Sequence, residues 1–422
     1  MRLPAARTAP HSVALDGCCF VGSRTGIANY VAALLEPLCA QQPDVRFVLY
    51  ANDAGDFPAA ANLGVRISVP KRRAPVWHHT QVVRMLREDG IDVFWGTNGL
   101  VPLRGLGATA TVLTIHDLVH VFAPRTQAFD KRWKQSFFQP RCVRAADRVI
   151  AVSQATAADV ARHYGRVPES VIQPIAGAHF GTGRAVTNAA ATNAAVTNAG
   201  AANAAATIPA AAGAADDTVR RFRLLAKFIL TVGTLEPRKN LAALVEAHAA
   251  CSASGHDVPP LVIVGGQGWR DGALRASLRD AAASGRVRHL GFLPNEDLRH
   301  LYARCHAFVM PSIYEGFGLP LLEAQLCGAP VLHGCHVSMS EAAGGLGVAF
   351  EPSAEGLREM LAGLAEGRLP LACRLRSAIE NDAERSARRL WGVMEEAWHS
   401  KRGGGAAGRL TRSDDVVSCA GP

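Results

Sequence analysis

The sequence predicts two doubly wound α/β domains, each a parallel sheet with helices on both faces, facing one another across a cleft. Three observations carry that expectation. Short apolar, β-branched runs alternate with longer stretches of helical periodicity along the whole chain. The strand runs are apolar almost without a break, which suits strands covered on both faces. The alternation is interrupted once, by an Ala/Asn/Thr-rich stretch, so the 422 residues fall into two similar halves.

In the first half SVALDG, RFVLYAN, VFWGTN, ATVLTIHD and RVIAVS read as strands, with helices over 28–40 and 81–89. Residues 187–206 are degenerate TNAAA-like repeats with almost no large apolar side chain, so burial cannot offset their ordering entropy. In the second half FILTVGTL, PLVIVGG, RVRHLGFL, AFVMPS and APVLHG read as strands, with helices over 240–252, 272–284, 295–305 and 320–327. A last helix over 381–399 carries Leu390, Val393, Met394 and Ala397 on one side. The expected organisation is a first domain over 1–180, a linker insertion over 181–222 and a second domain over 223–380. The last helix and a disordered tail over 400–422 follow. Ligands of such sheets sit at the carboxyl ends of the strands, here in the cleft.

Composition narrows the class. No apolar run reaches the ~18 residues of a membrane span, and Arg2, Arg7, His11 and Asp16 break up the first twenty residues, against a secretory leader. Ten cysteines without a C-x-x-C pair argue against zinc ribbons and disulfide scaffolds and for a reducing cytosol. Of the net charge of +9, +7 lies in residues 1–180, with Lys71, Arg72 and Arg73 the densest run. That excess fits an anionic partner: membrane lipid, a phosphorylated substrate or nucleic acid. Nucleic acid is disfavoured, because no aromatic-interleaved basic motif is present.

The richest stretch is PSIYEGFGLPLLEAQLCGAP, residues 311–330. Glu315, Gly316, Phe317 and Gly318 form a loop after a strand, and a helix starts near Leu319. Pro320 suits its first turn, Gly328 its C′ position, and Pro330 blocks continuation. The amides of Gly316, Phe317, Gly318 and Leu319 therefore stand at a helix N-terminus, a ready anion site. Glu315 and Glu323, eight residues apart, can reach the sugar end of a ligand and a ribose diol. Two acids beside a phosphate need cations, and Arg238 and Lys239 of TVGTLEPRKN supply a fork and a point charge suited to a diphosphate, with Asn240 a helix N-cap.

In the first half, Gly22 and Gly26 lie between the first strand and first helix, where the Gly26 amide can face the same diphosphate. His116 and Asp117 follow a buried strand and face the cleft, and Asn98 ends another strand similarly. A His there can donate to a sugar hydroxyl or accept from it. LVIVGGQGW lacks the register and the acidic residue of a dinucleotide fingerprint, so Gly265 and Gly266 are expected to shape a pocket floor. No H-E-x-x-H or D-x-D triplet supports metal dependence.

These residues resemble a known family. Glu315 and Glu323 match the E-x7-E pattern of retaining glycosyltransferases of family 4, the GT-B class with two Rossmann-like domains. EPRKN, VGGQGW, the block from GFLPNEDL to CGAPV, RVIAVSQATAADV, TGIANYVAALL and HDLV are similar to it as well. Within the family the set resembles mannosyltransferase-B-like enzymes of bacterial surface polysaccharides and O-antigen. The resemblance implies that Arg238 and Lys239 hold the donor diphosphate with help from Gly26, and that Glu315 binds donor-sugar hydroxyls. Amides of Gly316, Phe317, Gly318 and Leu319 would assist the phosphate or sugar. Glu323 would bind the ribose, and His116 would contact the sugar near its reacting carbon. It also implies a final helix that crosses back to the first domain. Two departures stand out: PIAGAHF replaces the usual N-G-V-D-like turn, and Ser340–Glu341 replaces the usual P-E pair, which leaves the role of Glu341 open.

The resulting expectation is a cytoplasmic, metal-independent, retaining enzyme without a cofactor. Its donor is a nucleotide-diphospho-sugar, GDP-mannose favoured, and its acceptor a growing glycan or a lipid-linked one. Peripheral contact with an anionic membrane, at the inner face of the plasma membrane, would follow. Retention can be front-face, or a double displacement with Asp117 as the nameable carboxylate. A non-catalytic sugar-nucleotide-binding protein and a basic nucleic-acid-binding protein are the competing readings.

Overall fold

The structure, a computed structural model, describes residues 7–22, 26–68, 74–177, 180, 212–266, 268, 272, 277, 278, 281, 285–371 and 382–407. The first domain is a seven-stranded sheet: β1 (Ser12–Asp16), β2 (Arg46–Ala51), β3 (Leu63–Ile67), β4 (Val93–Gly96), β5 (Ala110–Ile115), β6 (Arg148–Ala151) and β7 (Ser170–Val171). Its order is β3-β2-β1-β4-β5-β6-β7, with each pair parallel. The second is six-stranded: β8 (Ile229–Val232), β9 (Leu261–Val264), β10 (Val287–His289), β11 (Ala307–Met310), β12 (Val331–Gly334) and β13 (Val348–Phe350), in the order β10-β9-β8-β11-β12-β13. It too is all-parallel.

Both sheets reverse direction of winding at their first strand, β1 beside β4 and β8 beside β11. Each domain therefore has a crevice at the carboxyl ends of those two strands. The strands expected from continuous apolar runs are all present. β3, β7 and β13 are additional; they lie at sheet edges, where β3 is exposed at three of its five positions and β7 and β13 span only two and three residues.

Helices cover both faces. Gly26–Gln41 buries Tyr30, Val31, Leu34, Leu35 and Leu38. The helix expected over 81–89 begins earlier, as Ala74–Trp77, and passes through a π-helical turn at His78–Val82 into Val83–Glu88. The final helix Ala383–Ala407 packs on Gly26–Gln41 and on β5. Leu390, Trp391, Met394, Ala397 and Trp398 are buried there, and Lys401 Nζ lies 3.2 Å from Asp147 Oδ1. This second-domain sequence thus closes the first domain's core.

Two boundaries differ from the sequence reading. The linker expected to run to residue 222 ends before Ala212–Arg221, a helix packed on Asn295–Arg304, where Thr218 is buried and bonds His300 Nδ1 at 2.9 Å. Val219 and Phe222 pack their apolar side chains against the core. The final helix continues to Ala407, past residue 400 where the tail was expected, and residues 408–422 lie outside the described residues. The repeat over 187–206, the basic run 71–73, and most of the helix expected over 272–284 lie outside the described residues.

Candidate active site

The carboxyl end of β8 runs through Gly233 to Leu235 and then into a 3-10 turn, Pro237–Lys239. Asn240 follows in the left-handed region at φ 55°. It stands at the N-cap position of Leu241–Ala253, yet its side chain does not cap. That backbone turns the amide to Pro352 O instead, at 2.8 Å, correcting the capping role expected of it. The loop after β9 presses on this turn: a Cβ on Gly265 would sit 1.9 Å from Gly233 O, and one on Gly268 2.0 Å from Leu235 O. Gly265 and Gly268 thus let the two loops touch, whereas a Cβ on Gly266 would meet nothing within 4 Å.

Beside it, at the end of β11, Glu315 is 7% exposed. Its Oε1 accepts from Lys239 Nζ at 2.6 Å and its Oε2 from Arg238. Arg238 also donates to Tyr314 O at 3.0 Å and to Glu236 Oε1 at 3.2 Å. Burial raises the Glu315 pKa, but the two cations outweigh it and hold the carboxyl at about 2. Arg238 is pushed above its ordinary range by Glu315 and Glu236, against burial. Arg238, Lys239 and Glu315 therefore do come together, in a buried ion cluster that Glu236 joins.

Gly318 at φ 111° is the N-cap of Leu319–Leu326, with Pro320 in the first turn and Gly328 at C′ with φ 85°, as the sequence predicts. The first amides of that helix have no acceptor within it. Phe317 is 4% exposed and packs in the core, so only its amide can serve a ligand.

Glu323 is not part of the ion cluster. It is 7% exposed, on the helix that Gly318 opens, where Tyr302 OH donates to its Oε2 at 3.1 Å. Burial raises its pKa to about 7. The folded pKa exceeds the ordinary 4.5, so this group stabilises the protein most below about pH 4.5. That contribution declines as pH rises toward 7. E323Q is expected to be more stable than the parent at pH 8 by roughly 3 kcal/mol and to flatten the stability profile between pH 4.5 and 7. Urea titrations at pH 5 and pH 8 check this; equal losses in parent and variant would contradict it.

From the first domain, His116 follows β5. Its Nε2 donates to Thr97 O at 2.7 Å and its ring meets Tyr30 edge-on at 5.1 Å. Burial pushes the imidazole below its ordinary pKa. A carbonyl can only accept, so the ring carries its proton on Nε2 and keeps Nδ1 as an acceptor. Tyr30 lies one turn into the helix that Gly26 opens, which places that N-terminus over the same end of the sheet. Gly26 itself is exposed, and a Cβ there would meet nothing within 4 Å. Asp117 accepts from Val119 N at 3.2 Å. Asn98 is exposed.

The two domains meet at this point. A Cβ on Gly316 would lie 1.7 Å from His116 O, so the loop of the second domain rests directly on the backbone of the first. Gly316 O accepts from Ser153 Oγ at 2.6 Å and Thr156 Oγ1 at 3.0 Å. Tyr314 OH donates to Asp159 Oδ2 at 2.9 Å and accepts from Leu118 N at 3.2 Å. Glu341, whose role the sequence left open, takes the N-terminus of the helix Gln154–Tyr164. Its oxygens accept from Gln154 N at 2.9 Å and Ala155 N at 3.2 Å, and from Gln173 Nε2 at 2.7 Å. A carboxylate of one domain thus caps a helix of the other. Sequence alone gave no signal for this beyond the position of Glu341 after β12. E341A is expected to loosen the domains, raising donor KM and lowering kcat together by about tenfold through the loss of roughly 1–2 kcal/mol of capping. Steady-state kinetics check it, and unchanged constants would contradict the bridging role.

Two facing Rossmann-like domains, a crossing C-terminal helix and a cation–carboxylate cluster at the second domain's switch point define the GT-B class of glycosyltransferase. The family model for Glycosyltransferase Family 4 matches residues 24–176, and that for glycosyl transferases group 1 matches residues 217–376. Each model thus matches one of the two domains. It is similar to O-antigen chain mannosyltransferase B of Escherichia coli, 37% identical over 147 residues, which is 35% of this chain and 39% of that protein. It is also similar to the serotype-specific mannosyltransferase WbdA of Escherichia coli, 30% identical over 247 residues, 57% of this chain and 27% of that protein. The matched stretches thus span less than two fifths of either relative. Among solved structures, WaaG, a glycosyltransferase involved in lipopolysaccharide biosynthesis, superposes with a TM-score of 0.61 at 16% identity, over 92% of this chain and 98% of that one. Anabaena HepE in complex with UDP gives 0.59 at 17% identity, over 94% and 98%.

Proposed function

We propose that the chain transfers mannose, with retention of configuration, from GDP-mannose to a growing glycan or lipid-linked acceptor of a surface polysaccharide. The observation that carries this reading is the buried Arg238–Lys239–Glu315 cluster at the β8/β11 crevice, pressed against His116 by Gly316. Glu315 stands where the negative charge of a diphosphate is needed. Donor phosphate arriving at the two cations frees Glu315 to accept from donor-sugar hydroxyls. As the glycosidic C–O bond breaks, charge grows on the leaving phosphate, and the cations and the amides of residues 316–319 stabilise it. That service needs no divalent ion, so the reaction is proposed to run without metal.

His116 accepts from a sugar hydroxyl through Nδ1, and Glu323 accepts from the ribose. The leaving phosphate oxygen takes the acceptor's proton, on the same face from which the acceptor attacks. The sugar assignment is supported by the mannosyltransferase relatives. The site of action is proposed as the cytoplasmic side of a membrane, with peripheral attachment; among the described residues no helix is long and apolar enough to cross a membrane.

The test is a panel of nucleotide sugars in thermal-shift measurements. Bound donor stabilises by RT ln(1 + [L]/Kd), about 2.7 kcal/mol at a hundredfold excess over Kd. GDP-mannose is expected to raise Tm more than UDP-glucose or GDP alone. A larger shift from a UDP-sugar would replace the donor assignment, and no shift from any would remove the donor site.

A further inference from the structure

The helix Phe129–Ala145 of the first domain carries its largest apolar side chains outward. Its inward face holds Gln139, Cys142 and Val143, all buried. Phe129, Trp133 and Phe137 follow at every fourth position and are 77%, 55% and 40% exposed. The Trp133 and Phe137 rings stack at 5.7 Å, and the Arg141 guanidinium lies 3.8 Å over the Phe137 ring. Lys131, Arg132, Arg141 and Arg144 are exposed around this row. The helix has five basic residues and one acidic residue, Asp130. Phe122, 42% exposed, lies on the helical turn Val119–Phe122, which packs against this helix, and stacks on Tyr314, the neighbour of Glu315.

A contiguous row of exposed aromatics in a folded chain marks a surface that something covers. Aromatic rings set among Lys and Arg match the boundary between hydrocarbon and headgroups, and the charge selects anionic headgroups. We propose that this row seats the first domain on an anionic lipid surface, with the cleft mouth turned toward the lipid. The proposal rests on the reading of a membrane-attached acceptor and assigns the contact to residues 122–141. The sequence alone pointed to the run 71–73 instead.

The test uses the full chain with phosphatidylcholine vesicles, with and without phosphatidylglycerol, at low and high salt. Trp77, Trp95, Trp391 and Trp398 are buried, which leaves Trp133 as the exposed indole among the described residues. Brominated lipids should quench its fluorescence. In W133F binding should persist while most of that quenching disappears. W133S/F137S should lose about tenfold or more in partition to anionic vesicles, from the removal of two buried rings. GDP release from GDP-mannose in solution should be unchanged in that variant, which separates failure of the surface from failure of the enzyme reading. Equal binding of parent and W133S/F137S, or quenching that survives W133F, would move the contact elsewhere and overturn the proposal while leaving membrane attachment intact. No binding by the parent would overturn both. A parental dimer that W133S/F137S dissolves would make a second copy the occupant and overturn it as well.

Discussion

R238A/K239A is expected to lose about 10⁴-fold in kcat/KM for the sugar donor, since removing one donor to developing charge typically costs 10²–10³. It is also expected to fold less stably than the parent. The two cations hold the buried Glu315 carboxyl at a pKa of about 2, and deleting them strands a charge, at a cost of about 3–5 kcal/mol. The two effects separate in R238A/K239A/E315Q, which should regain most of the lost stability and none of the activity. The sign of the pH dependence follows from the depressed pKa. In the parent this cluster stabilises fully above about pH 4.5, and the contribution is lost as pH falls toward 2. The double variant should no longer show that loss. Parental turnover in the triple variant would refute the diphosphate clamp.

G316A is expected to lower kcat/KM about 100-fold or more, because a misplacement of about 1 Å at a reacting centre can cost that much. The added Cβ would lie 1.7 Å from His116 O and 3.2 Å from Asp117 Cβ. The nearest obstacle is backbone, which cannot rotate aside, so the domains must part. Gly316 is not among the glycines with positive φ, so the damage is confined to the contact and the fold should survive. A folded G316A protein of somewhat lower Tm, with reduced turnover and nearly normal GDP affinity, is the expected result. Normal turnover would mean that the contact between Gly316 and His116 is dispensable.

The strands and the site motifs were legible in the sequence for a common physical reason. Buried parallel strands need continuous apolar runs, and the glycines at 316, 318 and 328 mark a close approach or a left-handed turn. What the sequence hid is pairing across distance. Arg238 and Lys239 read as the cations that balance two acids and a phosphate, whereas in the fold both pair with one of those acids, Glu315. Glu341 gave no local sign that it caps a helix of the other domain. The helix Phe129–Ala145 escaped the periodicity reading because its aromatics face outward and Pro140 interrupts its pattern. The same inversion makes it a candidate lipid contact.

In the proposed reaction the cation–carboxylate cluster binds GDP-mannose and stabilises GDP as the leaving group, with retention at the sugar. The most direct measurement is the reaction of the purified chain with GDP-α-mannose and a mannoside acceptor in excess EDTA, with the product's anomeric configuration read by proton NMR. The account predicts stoichiometric GDP release and an α-mannoside, both abolished in R238A/K239A/E315Q. A β-linked product, or turnover that EDTA suppresses and a divalent ion restores, would contradict it.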